Sequence, residues 1–218
     1  MLDNNNKLNW FPGHMASSMR GLENYIKQSD AIVYVLDARC PKSCLNPEFE
    51  KFTARRPVIF VHNKIDLAPG KGLRTDIIAE LNKKCGAKVG FIRAMVIGVP
   101  NVGKSTIINR LAKRKKTMTG DKPGVTRVPQ WVPVAPKIYL LDTPGILWPN
   151  LENQKVARNL AYIGSIKDDV MDIIQLANRL SSDLNLGKTA TDEQEARTLL
   201  HDFRAGKFGK FNLDRLLN

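Results

Sequence analysis

Three stretches of this sequence bring together residue types that bind a nucleotide when spaced as they are here. Gly98-Val-Pro-Asn-Val-Gly103-Lys104-Ser105 satisfies the pattern G-x4-G-K-[ST]. Glycines at the two ends of such a loop let backbone N–H groups turn inward around phosphate oxygens. Lys104 adds a positive charge at the β- and γ-phosphates, and Ser105 offers a hydroxyl to Mg2+. Asn101, Val102, Gly103 and Thr106 complete the expected phosphate-contacting set. About forty residues later comes Asp142-Thr-Pro-Gly145. The Asp142 carboxylate can hold the same ion through water, and the Gly145 N–H can meet a γ-phosphate. Thr126 lies between the two, so the expected metal ligands are Ser105, Thr126 and Asp142.

The third stretch, His62-Asn-Lys-Ile-Asp66, supplies base recognition through Asn63, Lys64 and Asp66. A carboxylate at Asp66 accepts from guanine's N1–H and 2-amino group. Adenine offers neither arrangement, so GTP and GDP are expected ahead of ATP. A P-loop ATPase or kinase is correspondingly disfavoured. The order is unusual, because the base-reading stretch precedes the phosphate loop.

These residues need a frame to hold them. Ala31–Leu36 and Val58–Val61 are short apolar runs rich in β-branched residues, as for strands buried on both faces. Residues 73–84 have helical spacing, with Ile77, Ile78 and Leu81 on one side. Ala94–Ile97 reads as a strand running into the Gly98 loop, residues 104–113 as a helix leaving it, and Ile138–Leu141 as a strand ending at Asp142. Strands alternating with helices predict a parallel sheet with its ligand at the strands' C-terminal ends. From about Asn153 the pattern is helical only, so residues 1–150 form the α/β domain and residues 151–218 a small helical tail.

Composition sets the outer bounds. The chain has 218 residues, and its 43% hydrophobic and 25% charged content fits a globular protein with one full α/β domain and a small appendage. No apolar run reaches the roughly 18 residues of a membrane span, and MLDNNNKLNW lacks the apolar core of a secretory signal. Three cysteines do not make a disulfide framework, and Cys40 and Cys44 have no second pair of zinc ligands. A cytoplasmic protein with reduced thiols is expected. The net charge of +13 favours a polyanionic partner, since neutralising phosphates releases condensed counterions. Seven basic residues between Arg110 and Arg127 face a single acid, Asp121. A second basic group comprises Arg197, Arg204, Lys207, Lys210 and Arg215.

Taken in order, NKID, GVPNVGKST, PGVT and DTPG resemble the circularly permuted GTPases. With Trp10-Phe-Pro-Gly-His-Met15, Asp37-Ala-Arg39, GDKPGVTR and DTPGILWP, the chain closely resembles the YlqF/RbgA ribosome-biogenesis GTPases. The resemblance implies a three-layer P-loop GTPase sheet with permuted motif order and a C-terminal α-helical RNA-binding module. It implies a cytoplasmic enzyme that hydrolyses GTP with Mg2+ and acts late in assembly of the large (50S) ribosomal subunit. Its partners would be the subunit precursor, with its rRNA and ribosomal proteins; off the ribosome it would be a monomer. Ile146 stands where many GTPases carry a water-orienting glutamine, and the resemblance passes that role to His14. It also gives Asn101 a part in holding K+. The alternative is a GTP-regulated RNA-binding module with negligible hydrolysis. Two stretches are short for the family, residues 85–93 and 180–191: either the chain is a reduced member or segments have been closed up there, and the lack of room for a crossover in residues 86–93 favours the latter.

Overall fold

Burial separates an inner strand from an edge strand. All seven residues of β1 (Ala31–Asp37) are buried, as the apolar run Ala31–Leu36 requires of a strand covered on both faces. β2 (Val58–Asn63) alternates between buried and exposed residues, as an edge strand can. The other strands are β3 (Ile92–Ile97), β4 (Gln130–Ala135) and β5 (Ile138–Asp142). Together they form one five-stranded sheet in the order β2-β1-β3-β5-β4. In this computed structural model the described residues are 22–70, 75–86, 90–113, 129–148, 151 and 153–217.

The expectation of an all-parallel sheet needs one correction. β1 pairs in parallel with β2 and β3, and β3 with β5, but β4 runs antiparallel to β5. The turn at Pro136-Lys137 reverses the chain at once, Lys137 having φ 60, so a hairpin forms in place of a helical crossover. Pro133 is tolerated in β4 because β4 is an edge and pairs only with β5.

Among the described residues, 22–27 are helical, and the further α-helices are α1 (Glu50–Thr53), α2 (Ile77–Cys85), α3 (Lys104–Leu111), α4 (Gln154–Tyr162), α5 (Ile173–Asp183) and α6 (Glu193–Arg204). Among the described residues, α2 is the α-helix in the connection from β2 across β1 to β3. No further strand lies between Asp66 and Gly98 among the described residues, which leaves β2 as the sheet's edge.

One buried cluster runs from the sheet into the helical tail, through Met95, Leu140, Ile146, Leu160, Leu180, Leu200 and Phe203. Polar ties reinforce it. The Asp214 carboxylate accepts from the Lys42 and Ser43 amides and from Ser43 Oγ, and Asn159 Nδ2 donates to Ser43 Oγ and the Leu213 carbonyl. None of the described helices is long and apolar enough to cross a membrane.

Candidate nucleotide site

The phosphate loop leaves β3 at Gly98 and enters α3 at Lys104. Side-chain caps close the N-termini of α2, α4, α5 and α6, from Asp76, Asn153, Asp172 and Asp192. α3 differs: its N-cap is Gly103, which offers no side-chain cap, so its first N–H groups are left to an anion. Gly103 has φ 92, and a Cβ there would collide with Asn63 Nδ2. Gly145 is required on packing grounds, since a Cβ would lie 2.5 Å from the Pro100 Cα and 3.0 Å from Lys104 Nζ.

The loop is shaped by its carbonyls. Lys104 Nζ donates to the Gly98 and Val99 carbonyls at 3.1 and 3.0 Å. Ser165 Oγ donates to Pro100 O at 2.6 Å, Lys64 Nζ to Asn101 O at 2.8 Å, and Asn63 Nδ2 to Val102 O at 2.7 Å. Five successive carbonyls are thus held by side chains. Asn101 takes the left-handed conformation, φ 61, and its amide donates to the Gly164 carbonyl at 2.7 Å.

The expected magnesium ligands Ser105 and Asp142 meet, with Ser105 Oγ donating to Asp142 Oδ2 at 2.7 Å. A hydroxyl and a buried carboxylate at the head of α3, beside Lys104, are a donor set that suits Mg2+. Burial of Lys104 pushes its pKa down to about 8, partly opposed by the nearby Asp142 charge. Gly145 reaches the loop, and Ile146 N donates to Gly98 O at 3.4 Å. Ile146 itself is fully buried, so its side chain belongs to the core and not to the site.

On the base side, Lys64 has φ 57 and turns the chain into the Ile65–Leu67 turn that presents Asp66 to solvent. Asn63 and Lys64 donate to the phosphate loop, and Asp66, the third residue expected to read the base, is exposed. Lys64 also lies 3.4 Å from Asp37 Oδ2. Burial would raise the Asp37 pKa, but the Arg39 guanidinium, with Lys64, holds it below the usual carboxylate value. Of the remaining expected residues, Val102 is buried and Thr106 exposed on the first turn of α3. His14 and Thr126 lie outside the described residues.

The motifs did not point to Gly164, Ser165 or Arg204, because their sequence signal is only that of a helix end. Arg204, counted above in the second basic group, is turned inward: it pairs with Asp168 at 2.7 Å and donates to the Tyr162 and Ala161 carbonyls. Cys40 and Cys44 are buried free thiols 4.0 Å apart, and no metal-ligand cluster occurs among the described residues.

This architecture and site define a P-loop GTPase with permuted motif order. Residues 93–202 match the family described as "50S ribosome-binding GTPase". The chain is 39% identical over 204 residues to ribosome biogenesis GTPase A of Bacillus pumilus, covering 78% of this chain and 72% of that protein. It is 37% identical over 205 residues to the same-named protein of Priestia megaterium, covering 78% and 71%. Mitochondrial ribosome-associated GTPase 1 of Xenopus tropicalis is 35% identical over 216 residues, covering 81% and 70%. The chain belongs to the ribosome biogenesis GTPase A (YlqF/RbgA) family. GDP-bound TM YlqF superposes with TM-score 0.64 at 22% identity, covering 91% of this chain and 100% of that one. GNP-bound YlqF from T. maritima gives 0.61 at 23%, covering 88% and 95%; both likenesses concern the fold. Because 204 aligned positions occupy only 78% of this 218-residue chain, the B. pumilus relative holds residues within that span that this chain lacks.

Proposed function

We propose that this chain binds GTP and GDP with Mg2+, hydrolyses GTP, and acts in the cytoplasm in late assembly of the large ribosomal subunit, on its rRNA. One observation carries the nucleotide half: side chains from the guanine stretch, Asn63 and Lys64, hold the carbonyls of the phosphate loop beside the Ser105–Asp142 pair. Base, phosphate and metal elements therefore converge although the chain visits them in permuted order. Ser105 and Asp142, with Thr126, would hold Mg2+. The ion would neutralise phosphate charge, while Lys104 and the N–H groups of α3 bind and orient the phosphates. K+ at Asn101 is part of the same reading.

The ribosomal half is supported by the names of the relatives and by the charge of +13. Residues 151–218 serve as the RNA-facing tail. A second reading, a GTP-regulated RNA-binding module with negligible hydrolysis, is favoured by the burial of Ile146, which leaves no water-orienting side chain at that position. Sedimentation with large subunits under GDP or a non-hydrolysable GTP analogue tests binding, and turnover with and without subunits separates the two readings. If phosphate contacts dominate, affinity for the subunit should fall with salt at about 0.9 log unit per contact. Reversal of Lys113, Lys115 and Lys116, the last two outside the described residues, should flatten that slope. A salt-independent association would remove nucleic acid as the partner.

A further inference from the structure

We infer that Ser165, braced by Arg204, is a positioning residue for the phosphate loop, so that the helical tail completes the nucleotide site. The inference rests on the guanine-nucleotide reading above. Four of the five carbonyls in the loop are held by residues of the nucleotide motifs themselves. The fifth, Pro100 O, is held from 65 residues away by the hydroxyl of Ser165, a residue with no exposure to solvent. Next to it, Asn101 reaches out to the Gly164 carbonyl. Two successive residues of the tail thus grip two successive residues of the loop.

The loop needs that grip at this point. Pro100 has no N–H with which to hold itself, and Asn101 sits in a left-handed conformation that a non-glycine residue adopts at a cost. The tail side is itself fixed. Gly164 has φ 77, and a Cβ there would come within 3.2 Å of Arg204 Nε and 3.4 Å of Asn101 Nδ2. Arg204, from the end of α6, donates to the Tyr162 carbonyl at 3.0 Å and the Ala161 carbonyl at 2.9 Å, the last carbonyls of α4. It also makes a two-pronged pair with Asp168 at 2.8 and 2.7 Å. The end of α4 is therefore held where Ser165 can meet Pro100. An outer layer of this kind fixes the residues that touch a ligand without touching it. The coupling is reciprocal: if the grip favours the phosphate-binding shape, nucleotide must strengthen the grip by the same factor.

The test is calorimetric titration of the full chain with GDP and Mg2+, together with amide exchange across residues 160–165. Ser165→Ala should weaken GDP binding about 3- to 10-fold, the scale of one buried hydrogen bond. It should also abolish a GDP-dependent protection of the 160–165 amides that the wild type shows. Arg204→Lys, which keeps the charge but loses the fork, should act in the same direction. Asn178→Ala is the control: it removes the two bonds between Asn178 and Ala190, neither of them to a loop residue, and should lower Tm without changing GDP affinity. A folded Ser165→Ala protein with wild-type GDP affinity overturns the inference, as does an equal loss in Asn178→Ala. Should Ser165→Ala fail to fold, Arg204→Lys decides by the same criteria. Wild-type chain that binds no GDP would instead remove the guanine-nucleotide reading, so the two failures are distinguishable.

Discussion

Asn63 Nδ2 donates to the Val102 carbonyl at 2.7 Å, joining the end of the edge strand β2 to a loop 39 residues further along the chain. That bond makes permutation harmless. Base and phosphate elements are tied by side chains reaching across the C-terminal ends of parallel strands, so chain order along the backbone is irrelevant to the pocket. β1 and β3 are direct neighbours, which places the loops after β2 and β3 on either side of Asp37.

Asp66 is the one residue of the base-reading set exposed and not engaged in shaping the loop. Asp66→Asn should exchange guanine for xanthine preference, because an amide can donate to the oxygen that replaces the 2-amino group. Competition titrations with GDP and XDP measure this directly. Unaltered preference in the variant removes Asp66 from the site.

Lys104 gives the site a pH dependence with a definite sign. Its folded pKa of about 8 lies below the ordinary 10.5, so between those values the unfolded chain holds a proton that the folded chain has released. Stability of the nucleotide-free protein should therefore rise with pH across that window, through this group. Nucleotide phosphates favour the charged form, so binding must take up the missing proton. Proton uptake should grow from about 0.2 per GDP at pH 7.5 to about 0.9 at pH 9, with affinity falling over the same range. Calorimetry in two buffers of different ionisation heat reads the uptake; equal heats at pH 9 would place Lys104 away from the phosphates.

Most of the sheet and much of the site were legible in the sequence, for identifiable reasons. β1 is an apolar, β-branched run buried on both faces, and β3 and β5 are largely buried apolar runs that end at the phosphate loop and at Asp142. The phosphate loop, Lys104, Ser105 and Asp142 come together because a strand–glycine loop–helix unit fixes their geometry locally. β4 was not expected: Gln130, Trp131 and Pro133 do not alternate cleanly, and an edge strand paired on one side needs no strong pattern. Ser165 and Arg204 were illegible for another reason. Their roles come from tertiary contacts with α4 and the loop, which no spacing encodes. The basic group that included Arg204 pointed to a polyanionic partner, but this member is a partly buried brace.

The Asp37-Ala-Arg39 stretch also has a structural meaning. Arg39, 1% exposed, makes a two-pronged pair with Asp37 at 2.9 and 2.7 Å, and its guanidinium lies 5.2 Å from the centre of the Phe203 ring in α6. Removing Asp37 strands the Arg39 guanidinium in the interior, and removing Arg39 leaves the buried carboxylate with Lys64 at 3.4 Å. Arg39→Met or Asp37→Leu should each cost about 3–5 kcal/mol, whereas the double replacement Asp37→Leu/Arg39→Met should cost much less than the sum. Because the Asp37 pKa is depressed, its contribution is present above the ordinary carboxylate pKa and is lost as pH falls through the folded value. Urea denaturation of the three variants measures the cycle. Additive losses would mean that the pair is not coupled.

Hydrolysis asks for a group that Ile146 cannot supply. Its side chain is fully buried, it neither donates nor accepts a hydrogen bond, and its main chain is occupied, with N on Gly98 O and O on Asn46 Nδ2. A water at the γ-phosphate must be positioned from elsewhere. His14, outside the described residues, is the group that the family resemblance offers. An imidazole can accept a proton near neutral pH, which a buried alkyl chain cannot. His14→Ala should leave GDP affinity within a few-fold of wild type, because no phosphate or base contact is assigned to it. Subunit-stimulated turnover should fall by about 10²-fold or more, the scale of a positioned acid–base group. Single-turnover rates on purified large subunits measure the step itself. Wild-type turnover in the variant would return the role to the loop backbone, K+ at Asn101 or the RNA.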